Sequence, residues 1–592
     1  MDYAQGAVVA AQFRKACADC NFKDRRRVQN LVAVLDSASQ ALAQSDTVRS
    51  QAGADLKLWA DLRKLWRDLT RMQLSFWDND DSDDESEANR VTSQEDSLRQ
   101  VCMSLAKFTR NLVAGVPANQ SRAYENEPDM RRLLHFYTSW SAMEDSESVA
   151  TARVLTQALS NTVTANDTLV ASLWESYMNL PEDQVVLICQ NSRLLGSPDE
   201  RTLLTTLIFI LNCIHGSKKR SQLLTMSNVG VRICIGLVDN MVRLHEAKEG
   251  SDGAKAFDVG YAIFTQLIEG GLVPDLYKRF QLTNEIVTPH QTTLLKLVDS
   301  YLQSTQLNAT AIQLPDVLRT HESLASFLAK RFFTLSNYAQ KAIHRSLGMV
   351  PPASSKVADI EEVNRERSSS DSSSSSATSA VSSPSPMTPA DFPQELDVML
   401  PKVCEALVLV TQCIITICLE AEEQQARVEE GISTVVTFTN LKNYFIQKKH
   451  HDVGIVENMI ELLHILDIFL PRINFGKPVS VDGTPLSTSQ PGVGDSSGFS
   501  YLKRDLVRLL GVLSHGAKSV QDRTREAGGL AVVMNLCVVD ERNPYLREHA
   551  IFTLHNLLKG NHENQKFVDS VKPSQEWAED GTLKTRVGAT RK

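Results

Sequence analysis

No uninterrupted apolar run in this chain reaches the length of about 20 residues that a bilayer span takes. The longest apolar run, residues 406–419, is 14 residues long and carries Thr411, Gln412 and Thr416. It reads as a buried helix, and no membrane span is expected. Paired cysteines are also lacking. The 10 cysteines are scattered singly, several of them inside apolar helical runs (Cys189, Cys213, Cys234, Cys413, Cys418). That pattern fits thiols packed in a core in a reducing compartment, not a disulfide framework. Residues 1–13 have no basic region followed by an apolar block, so no secretory signal is expected. An excess of positive charge is missing too: the formal net charge is −9 and the pI about 5.9. This argues against nucleic acid as a main partner. The basic clusters Arg25-Arg26-Arg27, Lys218-Lys219-Arg220 and Lys448-Lys449-His450-His451 are short and read as solvated helix ends or turns. A soluble cytoplasmic protein is expected.

Motifs for chemistry are absent as well. There is no Gly-rich phosphate loop, no H-E-x-x-H and no G-x-S-x-G. His562-Glu563 is followed by N-Q-K and lacks the second histidine. Cys17 and Cys20 have zinc or redox spacing, yet the next cysteine is Cys102 and no nearby histidine completes four ligands. Two half-buried helical cysteines are the better reading. No catalytic, cofactor or metal residue is assigned, and the chain reads as non-enzymatic.

What the chain does contain is a repeated helical unit. Residues 521–558 run Q-D-R-T-R-E-A-G-G-L-A-V-V-M-N-L-C, then N-P-Y-L-R-E-H-A-I-F-T-L-H-N-L-L. A short helix ends at Gly528-Gly529, where a residue without Cβ turns the backbone sharply. A second covers residues 530–537. Asn543 is expected to cap a third, with Pro544 at its first position. Leu546, Ala550, Ile551, Leu554, Leu557 and Leu558 then fall at helical spacing along one stripe. Short helix, Gly turn, short helix, long helix is the armadillo unit.

The unit recurs as a long helix ending in apolar-x-Asn-apolar, with Asn or Gln opening the next helix. It appears as S-L-A-K-F-T-R-N-L-V-A-G with Asn119-Gln120, V-L-T-Q-A-L-S-N-T-V with Asn166, L-I-F-I-L-N-C-I with Gln222, and F-T-L-H-N-L-L with Asn564-Gln565. Weaker copies are R-L-L-G-V-L-S-H-G with Gln521 and C-I-I-T-I-C-L with Gln424-Gln425. Asn111, Asn161 and Asn212 lie 50 and 51 residues apart, and Gln521 and Gln565 lie 44 apart. Armadillo-type repeats run at roughly 40 to 47 residues, so modest insertions complete the match. The fold class is therefore all-α, an armadillo-like α-solenoid superhelix.

Along the chain this predicts N-terminal repeats over residues 1–355, interrupted by an acidic loop at 78–95 whose D-N-D-D-S-D-D-E-S-E run repels itself. Residues 356–393 form a Ser/Pro-rich linker with almost nothing apolar to bury. Repeats resume over 394–474, a disordered loop follows at 475–497, a terminal module at 498–573, and a flexible tail at 574–592. In the linker Ser383, Ser385 and Thr388 each precede proline, which makes them candidate phosphorylation sites. In armadillo stacks the long helix lines a groove, where Asn side chains can grip the backbone of an extended peptide. Asn111, Asn161, Asn212 and Asn556 are candidates for that role. The alternative is that each Asn satisfies a carbonyl of the neighbouring repeat.

Residues 498–573 resemble the C-terminal domain of the ataxin-10 family. The resemblance rests on G-F-S-Y-L-K-R-D-L-V-R-L-L-G-V-L, on the N-P-[aromatic]-x-x-E step (Asn543, Pro544, Tyr545, Glu548), and on the closing N-L-x-x-x-N-x-x-N-Q. The chain departs from the family pattern at Gly511-Val512, where Gly-Asn is usual, and at His549, where an aromatic is. The Ser-rich linker and the acidic run suggest a fungal-type member. The resemblance implies an armadillo-like, non-enzymatic cytoplasmic protein that binds other proteins through its solenoid surface and regulates cytokinesis. A homo-oligomer is possible on this reading. The rival reading is a carrier or exchange factor gripping a peptide or a small GTPase, as transport adaptors do. Acidic or neutral lining of the groove discriminates the two.

Overall fold

Short polar side chains set where the helices begin. Asp24, Asp145, Asn166, Asp199, Ser217, Ser251 and Asn561 each occupy an N-cap and accept a hydrogen bond from a first-turn backbone N–H. Glycine sets several of the ends. Gly516 and Gly560, 44 residues apart, both hold positive φ (64° and 70°), the left-handed step that lets one repeat turn into the next.

The computed structural model describes residues 5–75, 85–181, 184–187, 193–308, 314–349, 397–430, 440–474, 476–479, 499, 501–571, 575–577 and 583–585. They fall into two units, residues 1–281 with 288–297 and residues 282–287 with 298–592. The first contains α1 (Gln5–Asp19), α2 (Arg25–Gln44), α3 (Asp46–Ala54), α4 (Leu56–Leu74), α5 (Glu85–Val113), α6 (Pro117–Ala123), α7 (Glu127–Tyr137), α8 (Ser146–Val163), α9 (Asp167–Met178), α10 (Glu200–Ile214), α11 (Lys218–Met226), α12 (Asn228–Leu244), α13 (Asp252–Glu269), α14 (Val273–Arg279) and the start of α15 (Pro289–Asn308). Its long third helices stack in sequence order, α2 on α5, α5 on α8, α8 on α10, α10 on α13. Each buries a stripe such as Leu155, Ala158, Leu159 and Val163 of α8. Two buried tryptophans under the stack have their indole N–H groups satisfied. Trp59 donates to the Gly53 carbonyl at 2.8 Å and Trp174 to the Arg220 carbonyl at 3.0 Å.

The second unit holds α16 (Leu314–Ser346), α17 (Leu400–Glu429), α18 (Leu441–Gln447), α19 (Ile455–Phe469), α20 (Leu502–Ser514), α21 (Lys518–Glu526), α22 (Gly529–Leu536), α23 (Leu546–Leu558) and α24 (His562–Ser570). Here α17, α20 and α23 are the stacked long helices. By length and composition α17 could cross a membrane, but 67% of its most apolar stretch is buried in this unit, against α16 and α20. Three antiparallel pairs complete the elements, β1 (Lys449–His450) with β2 (Val453–Gly454), β3 (Arg472–Asn474) with β4 (Lys477–Val479), and β5 (Gln575–Trp577) with β6 (Leu583–Thr585).

Several expectations change. The acidic loop placed at 78–95 is shorter, because α5 already begins at Glu85. The disordered loop placed at 475–497 opens with the β3–β4 hairpin, and the flexible tail contains the β5–β6 ladder, where Gln575 pairs with Thr585. Lys448-Lys449-His450-His451 runs from the C-cap of α18 at Lys448 into a hairpin turn, with the His450 ring stacked on Phe333. The Ser/Pro-rich linker does not separate two halves. It joins α16 to α17, which pack on each other, and Tyr338 of α16 donates to Asp397 at 2.9 Å just before α17. Residues 356–393, with Ser383, Ser385 and Thr388, lie outside the described residues, as does Cys189. The described cysteines are unpaired, and burial raises the Cys17 thiol to about 12.

Candidate functional site: the amide-lined face of the long helices

The amides that open each repeat close the ends of the long helices. The last carbonyls of a helix have no partner within it. Gln120 in α6 donates to the carbonyls of Asn161 and Thr164 at the end of α8, both at 2.9 Å. Gln521 in α21 does the same for Asn556 and Lys559 at the end of α23, at 2.9 and 3.3 Å. The N-cap residues Asn166 and Asn561 then donate to the Oε1 of Gln120 and Gln521 in turn. Asn119 and Asn564 each reach back seven residues, to the carbonyls of Leu112 and Leu557. Two expected openers do not take part. Gln222 is exposed, and Arg220 reaches the Cys213 carbonyl instead, at 2.6 Å. Gln424 and Gln425 lie inside α17, where Gln424 donates to Glu420 at 2.7 Å. Apolar spacing alone had not shown that α17 runs on through them.

The four candidate groove amides occupy the long helices. Asn111 in α5 donates to the Ser39 carbonyl at 2.9 Å, and Asn161 in α8 to the Arg110 carbonyl at 3.2 Å. Asn212 in α10 donates to the hydroxyls of Ser160 and Thr164 at 3.3 and 3.2 Å. In all three the amide N–H ties one long helix to the helix before it. These three residues are half-buried, and no described donor takes the Oδ1 of Asn161 or Asn212. Asn556 differs. It is 3% exposed and bonds the Gly511 carbonyl at 3.0 Å, so it is closed to a partner.

Asn161 and Asn212 line a cavity of about 340 Å³ together with Arg110, Gln157, Ser160, Thr164, Thr205 and Ile208. The cavity lies wholly on α5, α8 and α10. No carboxylate lines it. Hydroxyls and amides at repeat spacing can meet the alternating N–H and C=O groups of an extended peptide. Arg110 was not singled out from the sequence, since a lone Arg in a long helix carries no signal until its neighbours are known. Among the described residues no group of three His, Cys, Asp or Glu side chains is placed to hold a metal.

In the terminal module the buried face of α23 is Leu546, Ala550, Thr553, Asn556 and Leu557. Ile551, expected on that stripe, is 49% exposed, and Leu554 and Leu558 are half-buried. Thr553 takes the inward place because its hydroxyl donates to the Val507 carbonyl of α20 at 2.9 Å, opposite the gap left by Gly511. Asn543 does not cap α23. Its amide is held by Asp540 at 2.7 Å, and Tyr545 precedes the helix at φ 66°.

Helix order, stacked long helices and left-handed turns between repeats define the class: an armadillo-like α-solenoid. The similarities with known proteins narrow it. The model of the spinocerebellar ataxia type 10 protein domain matches residues 502–590. The chain is similar to the ataxin-10 homolog of Dictyostelium discoideum, 41% identical over 70 residues and 12% of each chain. It is similar to that of Kluyveromyces lactis, 36% over 94 residues, 16% of this chain and 17% of the relative. It is also similar to that of Candida albicans, 28% over 152 residues, 25% of this chain and 30% of the relative. Residues 502–590 of this chain are similar to the C-terminal domain of the ataxin-10 family. The matches span 12 to 30% of the length of these relatives. Among solved structures, SYS-1 is 12% identical and covers 96% of this chain and 88% of its own, at a TM-score of 0.30. UNC-45 from Drosophila melanogaster is 11% identical, with 96% and 84% covered and a TM-score of 0.19. At that level of likeness the fold rests on the helix order itself.

Proposed function

We propose that this chain is a non-catalytic protein-binding scaffold that captures an extended segment of a partner along α5, α8 and α10, and that it acts in the control of cytokinesis in the cytoplasm. The observation that carries the binding half is the cavity of about 340 Å³ built at repeat spacing from Asn161, Asn212 and their hydroxyl neighbours. The cytokinesis half rests on the likeness of the C-terminal domain to the ataxin-10 family alone. An extended peptide satisfies its backbone groups on such a ladder while its side chains set specificity. The rival reading, a carrier or exchange factor gripping a peptide or a small GTPase, goes with an acidic groove and is disfavoured by the lining, which holds no carboxylate and one cation. We propose also that phosphorylation at Ser383, Ser385 and Thr388 regulates partner access, and that the scaffold self-associates. Absence of phosphate between residues 368 and 388 through a synchronised cell cycle would remove the first of these.

Ile208 is 41% exposed in the cavity wall, so Ile208→Asp changes the floor without touching the core. Affinity capture of full-length wild type and Ile208→Asp, read by quantitative mass spectrometry, tests the proposal. Partners that depend on the groove should be lost from the variant. An identical partner set at equal melting temperature sinks the groove reading, and a partner set without cell-division proteins sinks the cytokinesis role.

A further inference from the structure

Three arginines on the long helices of the first unit are neutralised by the next repeat. Arg99 of α5 contacts Asp145 at 2.7 Å, Arg153 of α8 contacts Asp199 at 3.1 Å, and Arg201 of α10 contacts Asp252 at 3.1 Å. Each places a guanidinium against a carboxylate at or beside the start of the following long helix. Arg110 breaks this pattern. Its Nε donates to Asn111 Oδ1 at 3.0 Å and one terminal nitrogen donates to Gln157 Oε1 at 2.5 Å, both neutral acceptors. A guanidinium carries five N–H donors, so three remain for a ligand. Burial pulls the Arg110 guanidinium down from its ordinary value, and no carboxylate offsets that pull. A half-buried cation without a counter-charge is costly, and an anion delivered by a ligand removes the cost.

We infer that Arg110 anchors an anionic side chain, a carboxylate or a phosphate, on the extended partner segment that occupies the groove. This rests on the groove reading above and adds to it the chemistry of the occupant. Arg110 is the one charged residue among those lining the cavity. The planar guanidinium suits either oxyanion through two parallel N–H bonds. Ser160 supplies a second donor. Its Oγ accepts from Asn212, and no described acceptor takes its proton, whereas the hydroxyls of Thr164 and Thr205 are committed to the carbonyls of Ser160 and Arg201 at 2.7 and 2.9 Å. The site therefore pairs one fixed cation with one free hydroxyl, flanked by amides that hold the peptide backbone.

The test uses the full-length chain and fluorescein-labelled capped Gly-Ser peptides of about eight residues, long enough to span the stacked helices. They carry a single central Glu, phosphoserine, Ala or Lys. Fluorescence polarisation should show the Glu or the phosphoserine peptide binding at least about tenfold more tightly than the Ala peptide. The stronger of the two names the source of the anion. Arg110→Lys should keep part of that preference, Arg110→Ala should erase it, and Arg110→Glu should transfer it to the Lys peptide. A merely structural Arg110 cannot produce that transfer. Should Arg110→Glu fail to fold, Arg110→Lys still decides, because a preference equal to that of wild type shows the fork is not used. Equal binding of the Ala, Glu and phosphoserine peptides to wild type overturns the anion site and leaves the groove standing. No binding by any of the four overturns both.

Discussion

Asn556 shows how a single amide fastens the last repeat. Its N–H reaches the Gly511 carbonyl and its own carbonyl receives Gln521, so the residue is a strut between α20, α21 and α23. Asn556→Ala removes one of two side-chain donors on the Gly511 carbonyl, Ser514 Oγ keeping the other, and about 0.5 to 1.5 kcal/mol of stability should be lost. Leu557→Ala, in the same core, should lose about 2 to 5 kcal/mol. Urea unfolding followed by circular dichroism measures both, and unchanged stability of the Asn variant would return that side chain to the list of partner contacts. A different residue controls acid sensitivity. His321 is 2% exposed in α16, its Nε2 has no hydrogen-bond partner, and burial lowers its pKa from 6.5 to about 4. The unfolded chain takes up a proton below 6.5, whereas the folded one resists until about 4. The stability that neutral His321 allows is therefore intact above 6.5 and drains away as pH falls toward 4, by about 3 kcal/mol over that window. His321→Leu should flatten that part of the profile. Parallel wild-type and variant curves between pH 7.5 and 4.5 would count against the assignment.

At the scale of the element, two backbone features decide how α20 and α23 meet. A Cβ built on Gly511 lies 2.5 Å from Thr553 Oγ1, so the helices approach only because this position has no side chain. Gly511→Ala should force them apart and cost about 1 to 3 kcal/mol. Thr553→Ala added to it should recover part of that loss, since the Oγ1 that meets the new Cβ is then gone. Failure of the double variant to recover anything would place the strain elsewhere. Tyr501 and Tyr545, 44 residues apart, both precede a long helix with positive φ (70° and 66°), a conformation that costs a bulky residue about 1 to 2 kcal/mol. Tyr545 is 70% exposed, so Tyr545→Gly removes the strain and little packing. It should hold or raise the melting temperature. Tyr501→Gly should gain less, because Arg504 lies over the Tyr501 ring at 4.3 Å from its centroid. A fall in stability for Tyr545→Gly would mean that its ring makes a contact which exposure conceals.

On the scale of the whole molecule, three of the longer non-repeat segments share one position in the repeat. Residues 76–84 lie between α4 and α5, 350–396 between α16 and α17, and 480–498 between α19 and α20. Each is the step from a second to a third helix. The step from a third helix to the next first helix is often a glycine turn locked by an amide, as at Gly516 and Gly560, although residues 430–440 separate α17 from α18; the step from second to third tolerates length because loop closure grows only slowly with it. The Ser/Pro-rich segment is then an insertion inside the second unit. Cleavage at a protease site engineered within residues 367–393 should leave the fragments together on gel filtration, held by α16 packed on α17. Separation into two species after the cut would show instead that the segment tethers independent halves.

The sequence by itself determined the all-α class, the armadillo-type unit, the kinship of the last repeat and the Asn and Gln residues that recur between helices. These are local matters: helical spacing, caps and glycine turns are written in residues close to one another. The tertiary structure decided what those residues touch. That α16 packs on α17 across the Ser/Pro-rich insertion, that Thr553 and not Ile551 faces the core, that Arg220 replaces Gln222, and that Arg110 faces two neutral amides while Arg99 and Arg153 face carboxylates all depend on side chains tens of residues away. A solenoid sets its helices by short-range pattern and its binding surface by the register between successive repeats, and only packing fixes that register.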